Sequence, residues 1–177
     1  VSSVIRSTWP VPRDFSRADP AVLENARLRG VETDELFCRY IGGTLDEIPA
    51  GTRKDVWNPD TGTGLLQKLI PWWDKQGLTA RTQVILHDDE IAGTADIVTD
   101  DMIMDLKCTY NLESTYELQL AAYLDLDKSP GTTKRIAIIH CTERFDEPRL
   151  VVLPQAQCFF DWGVLRDMWA MVRRRTQ

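Results

Sequence analysis

Residues 83 to 108 read QVILHDDEIAGTADIVTDDMIMDLKC, and this stretch decides the fold. Three short apolar runs, Gln83–His87, Ile91–Val98 and Met102–Cys108, are separated by Asp88-Asp89-Glu90 and Thr99-Asp100-Asp101. Strand-like runs with short polar breaks predict an antiparallel meander of two hairpins. Successive side chains in a strand alternate between faces. Met102, Met104, Leu106 and Cys108 then share a core face, while Ile103, Asp105 and Lys107 share the other. In the preceding strand Thr94, Asp96 and Val98 lie together, with Ala95 and Ile97 opposite. A turn at Thr99–Asp101 brings Asp96 near Asp105. Two carboxylates and a lysine on a covered sheet are costly to desolvate unless something compensates them. A divalent cation does so, because hard cations take carboxylate oxygens. Taken alone, an Asp-x-Lys strand also fits a salt bridge on a solvated sheet face.

Outward from this centre the elements follow in order. A helix from about Leu112 to Leu126 carries Leu112, Tyr116, Gln119 and Tyr123 on one stripe, with Leu118, Ala121 and Ala122 on its apolar side. A polar stripe on a helix buried on more than one side, next to the carboxylate strands, is what a substrate-facing wall looks like. Thr133 to Cys141 predicts a buried strand, Arg149–Pro154 another, and Gln155–Arg175 a closing amphipathic helix. Upstream, residues 1–18 predict an extended arm, and Asp19-Pro20 a helix start. That helix spans about 20 to 40 and is interrupted or kinked near Gly30. Turn formers fill residues 42 to 64, and a short helix follows from Leu65 to Lys75. The whole is an α/β sandwich around a mixed sheet.

The 177 residues fit a single domain, with a core from about residue 20 to 175. A net charge of −6 excludes a broad basic sleeve for nucleic acid, although seven acids and no base lie from Asp88 to Asp105. The four cysteines, Cys38, Cys108, Cys141 and Cys158, form no CxxC pair, so they predict reduced core residues and no iron–sulfur or structural zinc site. With no long apolar run, the expectation is a cytoplasmic chain without a membrane span. Trp72-Trp73 fits core packing better than base stacking. Arg27, Lys134, Arg135 and the tail Arg173–Arg175 are bases a phosphate could meet, with no spacing that marks them.

Gly93-Thr-Ala-Asp96, Met104-Asp105-Leu106-Lys107 and Gln119-Leu-Ala-Ala-Tyr123 stand in order on the elements described. They resemble the GxxD, DxK and QxxxY motifs of the PD-(D/E)XK nuclease superfamily, specifically its RecB-like exonuclease branch, including phage-borne members. Arg29-Gly30-Val-Glu-Thr-Asp34 is similar to the N-terminal helix motif of that branch. The resemblance runs from about residue 24 to 124 and implies a restriction-endonuclease-like core of order αβββαβ plus a C-terminal helix. It implies a metal-dependent deoxyribonuclease for DNA recombination, repair or processing, most often exonucleolytic. A structure-selective endonuclease and a silent nucleic-acid-binding module are the alternatives. Mg²⁺, with Mn²⁺ as a substitute, would be held by Asp34, Asp96, Asp105 and the backbone carbonyl of Cys108, with Glu32 and Glu35 as neighbouring alternatives to Asp34. Asp96, Asp105 and Lys107 would be catalytic, Lys107 orienting or deprotonating the attacking water. Gln119, Tyr123, Tyr116 and Arg29 would bind substrate. The implied setting is the cytoplasm of a bacterium or phage-infected host. DNA is the implied partner, and a homo-oligomer or a recombination or replication protein is compatible with it.

Overall fold

The first helix starts where the sequence places its capping pair. In the computed structural model, which describes residues 19–129 and 134–175, α1 spans Pro20–Ile41 and Asp19 Oδ1 accepts from Ala21 N at 2.8 Å. The expected arm over residues 1–18 lies outside the described residues. Of the interruption or kink expected near Gly30, the interruption is absent, since α1 runs helical through it. A helical glycine costs about 1 kcal/mol relative to alanine. That is less than one buried leucine or phenylalanine contributes, about 1.5–3 kcal/mol, and α1 buries Leu36 and Phe37.

The turn-rich residues 42–64 lead into α2 (Leu65–Gln76). Gly64 is needed there, since a Cβ on it would stand 2.4 Å from Val56 O. Three strands follow, β1 (Arg81–His87), β2 (Ala92–Val98) and β3 (Met102–Lys107), then α3 (Ser114–Leu126), β4 (Arg135–His140), β5 (Arg149–Val152) and α4 (Gln155–Arg175). The sheet order is β1-β2-β3-β4-β5. All neighbours are antiparallel except β3 and β4, which run parallel across the α3 crossover. This is the expected α/β architecture with a mixed sheet flanked by helices.

Each face of the sheet is covered. Ala95, Val98, Ile103, Ile136 and Ile138 pack with α3 and with Cys158, Trp162 and Leu165 of α4. Ile97, Met102, Met104, Leu106, Cys108, Ala137 and Ile139 pack with Leu36 and Phe37 of α1 and with Leu65, Leu69, Trp72 and Trp73 of α2. The tryptophan pair is core, as its place on a short amphipathic helix predicts. All four cysteines are free and buried. Among the described residues no helix is long and apolar enough to cross a membrane.

Candidate active site

β2 and β3 pair at Ile97↔Met104 and Val98↔Ile103, and the paired register ends there. Beyond that point the Asp96 carboxylate takes a ladder acceptor's place: its Oδ2 accepts from Leu106 N at 3.1 Å. On the other side of β2, Gln83 lies opposite Asp96, between the pairs Thr82↔Ile97 and Val84↔Ala95, with φ at +51°. That left-handed backbone costs a residue with a Cβ on the order of 1–3 kcal/mol. With pairing broken on both sides, β2 does not keep its alternation. Ala95 packs toward α3 and α4, and Ile97 toward α1 and α2, so the shared face expected for them is corrected here.

Around Asp96 the structure gathers one lysine and two more carboxylates. Asp105 is 1% exposed, and its Oδ2 contacts the Lys107 ammonium yet accepts no hydrogen bond of good geometry. Lys107 Nζ lies 4.8 Å from the centroid of the Tyr116 ring. Asp34 enters from α1. Cys38, one turn further on, has its Sγ 3.5 Å from Asp34 Oδ1 and 3.6 Å from the Asp96 carbonyl oxygen. Gln83 Nε2 donates to Cys38 Sγ at 3.3 Å and reaches Asp34 Oδ2 at 3.5 Å. Of the three acids on this stretch of α1, Asp34 joins the cluster. Glu32 accepts from Arg53 N in the following loop, and Glu35 is exposed.

Burial and mutual repulsion set the charge states. Burial pushes the Asp96 carboxyl well above the usual carboxylate range, and the charges of Asp105 and Asp34 push it further. Asp34 is raised by burial too; the Cys38 thiol opposes the shift and Asp105 adds to it. For Lys107, burial lowers the pKa, but the charges of Asp105 and Asp96 outweigh burial and hold the ammonium above its ordinary range. Of the two roles expected of Lys107, a raised ammonium pKa fits orienting the water better than deprotonating it. Burial lifts the Cys38 thiol to about 12, so it stays neutral.

The expected substrate residues divide. Tyr116 lies against Lys107, while Gln119 Nε2 donates to Tyr123 Oη at 2.8 Å. Tyr123 is 3% exposed and its pKa is raised by burial, so it braces Gln119 from within. Arg29 bonds Glu143 at 2.5 Å, and its Nε is buried without a hydrogen-bond partner. Among the described residues no hydrogen bond or ion pair joins Arg29 to the carboxylate cluster. The Cys108 side chain packs on the α1 and α2 side of the sheet, so only its main chain remains for the role expected of it. Lys134 pairs with Asp127 and Arg135 with Asp101, which takes both from the bases open to phosphate. Arg27 pairs with Glu24, and the side chains of the Arg173–Arg175 tail lie outside the described residues. Cys38 has a signal in the sequence, since it lies i+4 from Asp34 on one helix face. The left-handed backbone of Gln83 has none.

The donor set consists of hard carboxylate oxygens, one of them buried without a hydrogen bond, which suits a hard divalent cation in kind. Their arrangement is open. Among the described residues no three His, Cys, Asp or Glu side chains are gathered as a metal-binding group. Asp105 is turned onto Lys107 and Asp96 onto Leu106 N.

No family model matches this chain, and no curated protein matches it in sequence. A solved structure does. The crystal structure of a candidate exonuclease from Eubacterium rectale is similar, with a TM-score of 0.54 and 15% identity. The likeness covers 83% of this chain and 65% of that one. At this identity the likeness is one of fold.

Proposed function

We propose that the chain is a metal-dependent nuclease that hydrolyses DNA phosphodiester bonds and works from an end. One observation carries the reading. Asp105 contacts Lys107 where β2 parts from β3, the charges of Asp34 and Asp96 act on the same place, and the carboxyls of Asp34 and Asp96 are raised by burial and repulsion. A surplus of buried negative charge is destabilising by itself and clusters at functional sites. The motif order described above and a fold shared with a candidate exonuclease agree with it.

In this reading Asp34, Asp96, Asp105 and the Cys108 carbonyl hold Mg²⁺ or Mn²⁺, which supplies charge for the phosphate and acidifies water when bound. The chain's own residues do the rest. Lys107 orients the attacking water and offsets charge developing on the phosphate. Gln119, held by Tyr123, contacts the scissile phosphate or its neighbour, and Tyr116 keeps Lys107 in place. Gln83 and Cys38 fix Asp34 against Asp96.

The test is cleavage of linear, nicked and closed circular DNA, single- and double-stranded, with Mg²⁺, Mn²⁺ or EDTA. Degradation of molecules with ends, abolished by EDTA, is expected. Cutting of closed circles would replace the exonuclease with an endonuclease, and no cutting with either metal would overturn the reading.

A further inference from the structure

The loops that leave β3 and β4 carry chemistry the carboxylate cluster does not use. Because β3 and β4 are parallel and adjacent, both loops emerge at their carboxyl ends, the edge where α/β sheets receive ligands. Their roots are tied together. Cys141 N donates to Lys107 O at 3.1 Å, and His140 Nε2 lies 2.8 Å from Thr109 O. Tyr110, three residues beyond Lys107, is 59% exposed, and the Arg144 guanidinium sits 3.1 Å from its ring centroid. Next to it Arg149 lies 3.8 Å from the Phe145 centroid, and Phe145 meets the His140 ring edge-on at 5.1 Å. The backbone beneath is pinned, since Lys68 Nζ donates to Phe145 O at 2.6 Å.

The charges of this loop are sorted. Two of its three acids face the protein's own cations, Glu143 on Arg29 and Glu147 on Lys75, while Asp146 is exposed and lines a cavity shared with Lys68. Arg27, Arg29, Arg53, Arg135 and Arg166 each pair with a carboxylate. Arg144 and Arg149 are exposed and stack on rings instead, with no carboxylate in ion-pair range among the described residues. On a chain of charge −6, two guanidinium groups without a carboxylate partner, one on the exposed Tyr110 ring and one on the half-buried Phe145 ring, mark a surface for an anionic, planar ligand. Aromatic rings joined to arginines are how proteins hold unpaired nucleotides: bases stack and phosphates meet the cations.

We infer that Tyr110, Arg144, Phe145 and Arg149 form a ledge that binds the single-stranded end of a nucleic acid and feeds it toward Lys107. The inference rests on the nuclease reading for its choice of ligand. Duplex DNA suits the ledge far less, because its interior bases are stacked on one another and only the terminal pair offers a face.

The test is binding by the full chain, in EDTA so that nothing is cut, to a fluorescent oligothymidylate, an oligouridylate and a blunt duplex, each about 20 nucleotides per strand. Tyr110→Ala and Arg144→Gln weaken oligothymidylate binding by about tenfold, whereas Tyr110→Phe, which keeps the ring, changes it by less than about twofold. Blunt-duplex binding changes far less, and thermal midpoints stay at the wild-type value. An equal loss on oligouridylate assigns the ledge to single strands of either sugar. Unchanged oligothymidylate binding, or an equal loss on the duplex, overturns the ledge. The two readings fail separately. A wild-type chain that cuts nothing while Tyr110→Ala loses binding sinks the nuclease alone. A chain that degrades overhangs normally with Tyr110→Ala sinks the ledge alone.

Discussion

Two buried lysine–aspartate pairs in this molecule look alike and differ in kind. Lys134 and Asp127 Oδ2 lie 3.0 Å apart with side chains 4% and 8% exposed, and Ser129 donates to the other carboxylate oxygen, Oδ1, through both N and Oγ. Burial raises the Asp127 pKa, but Ser129 and Lys134 together hold the carboxyl below its usual range. One cation meets one anion, and the hydrogen bonds are made. Lys107 and Asp105, 17% and 1% exposed, face two further carboxylates, and among the described residues Lys107 is the one partner of Asp105 Oδ2. The first pair is closed and fastens the end of α3 to the start of β4. The second carries more negative charge than its lysine neutralises, which is the condition for recruiting something positive.

Breaking each pair should expose the difference. Lys107→Ala should lower cleavage by about 10²–10⁴-fold while DNA binding persists; a mutant that cuts at the wild-type rate would remove Lys107 from the mechanism. Lys134→Met should leave the rate untouched below its unfolding range but cost about 3–5 kcal/mol, because it strands a buried carboxylate. Urea denaturation reads that loss. The same pair carries a pH signature. Asp127 has a depressed folded pKa, so its contribution is complete above the unfolded value of about 3.9 and is lost as pH falls through the folded one. Asp127→Asn should flatten that acid limb, and an unchanged limb would contradict the assignment. The smallest effect sharpens the contrast most: Asp34→Asn should raise stability near neutral pH by about 1 kcal/mol while abolishing cleavage, because it relieves repulsion within the overcharged cluster. A loss of stability there would mean that Asp34 fastens the fold.

Much of this was legible in the chain because it depends on short-range pattern. The alternation in Met102–Lys107 separated core from site before any contact was known, and Ile103 and Met104 indeed lie in opposite cores. Where alternation failed, at Asp96, pairing is interrupted on both sides, by the left-handed Gln83 on β1 and by the end of the β2–β3 ladder, which no local pattern encodes. Gly30 misled for a related reason. Its intrinsic cost is local, and the burial that outweighs it belongs to residues further along α1. Lys134 and Arg135 read as free bases in sequence, yet their partners Asp127 and Asp101 come from elements brought near only by the α3 crossover and the β3–β4 pairing.

Sequence alone therefore determined the α/β order of elements and the two faces of β3, and it set Asp96 near Asp105 and Lys107, since residue spacing sets which side chains share a face; Asp34 entered only through the motif resemblance. Tertiary structure alone decided that Lys107 stays charged, because its pKa balances burial against acids on β2 and β3. It also decided that Cys38 and Gln83 join Asp34, and that Tyr110 meets Arg144 across two loops. Charge state and long-range contact depend on distances through space, and those exist only once the sheet has closed.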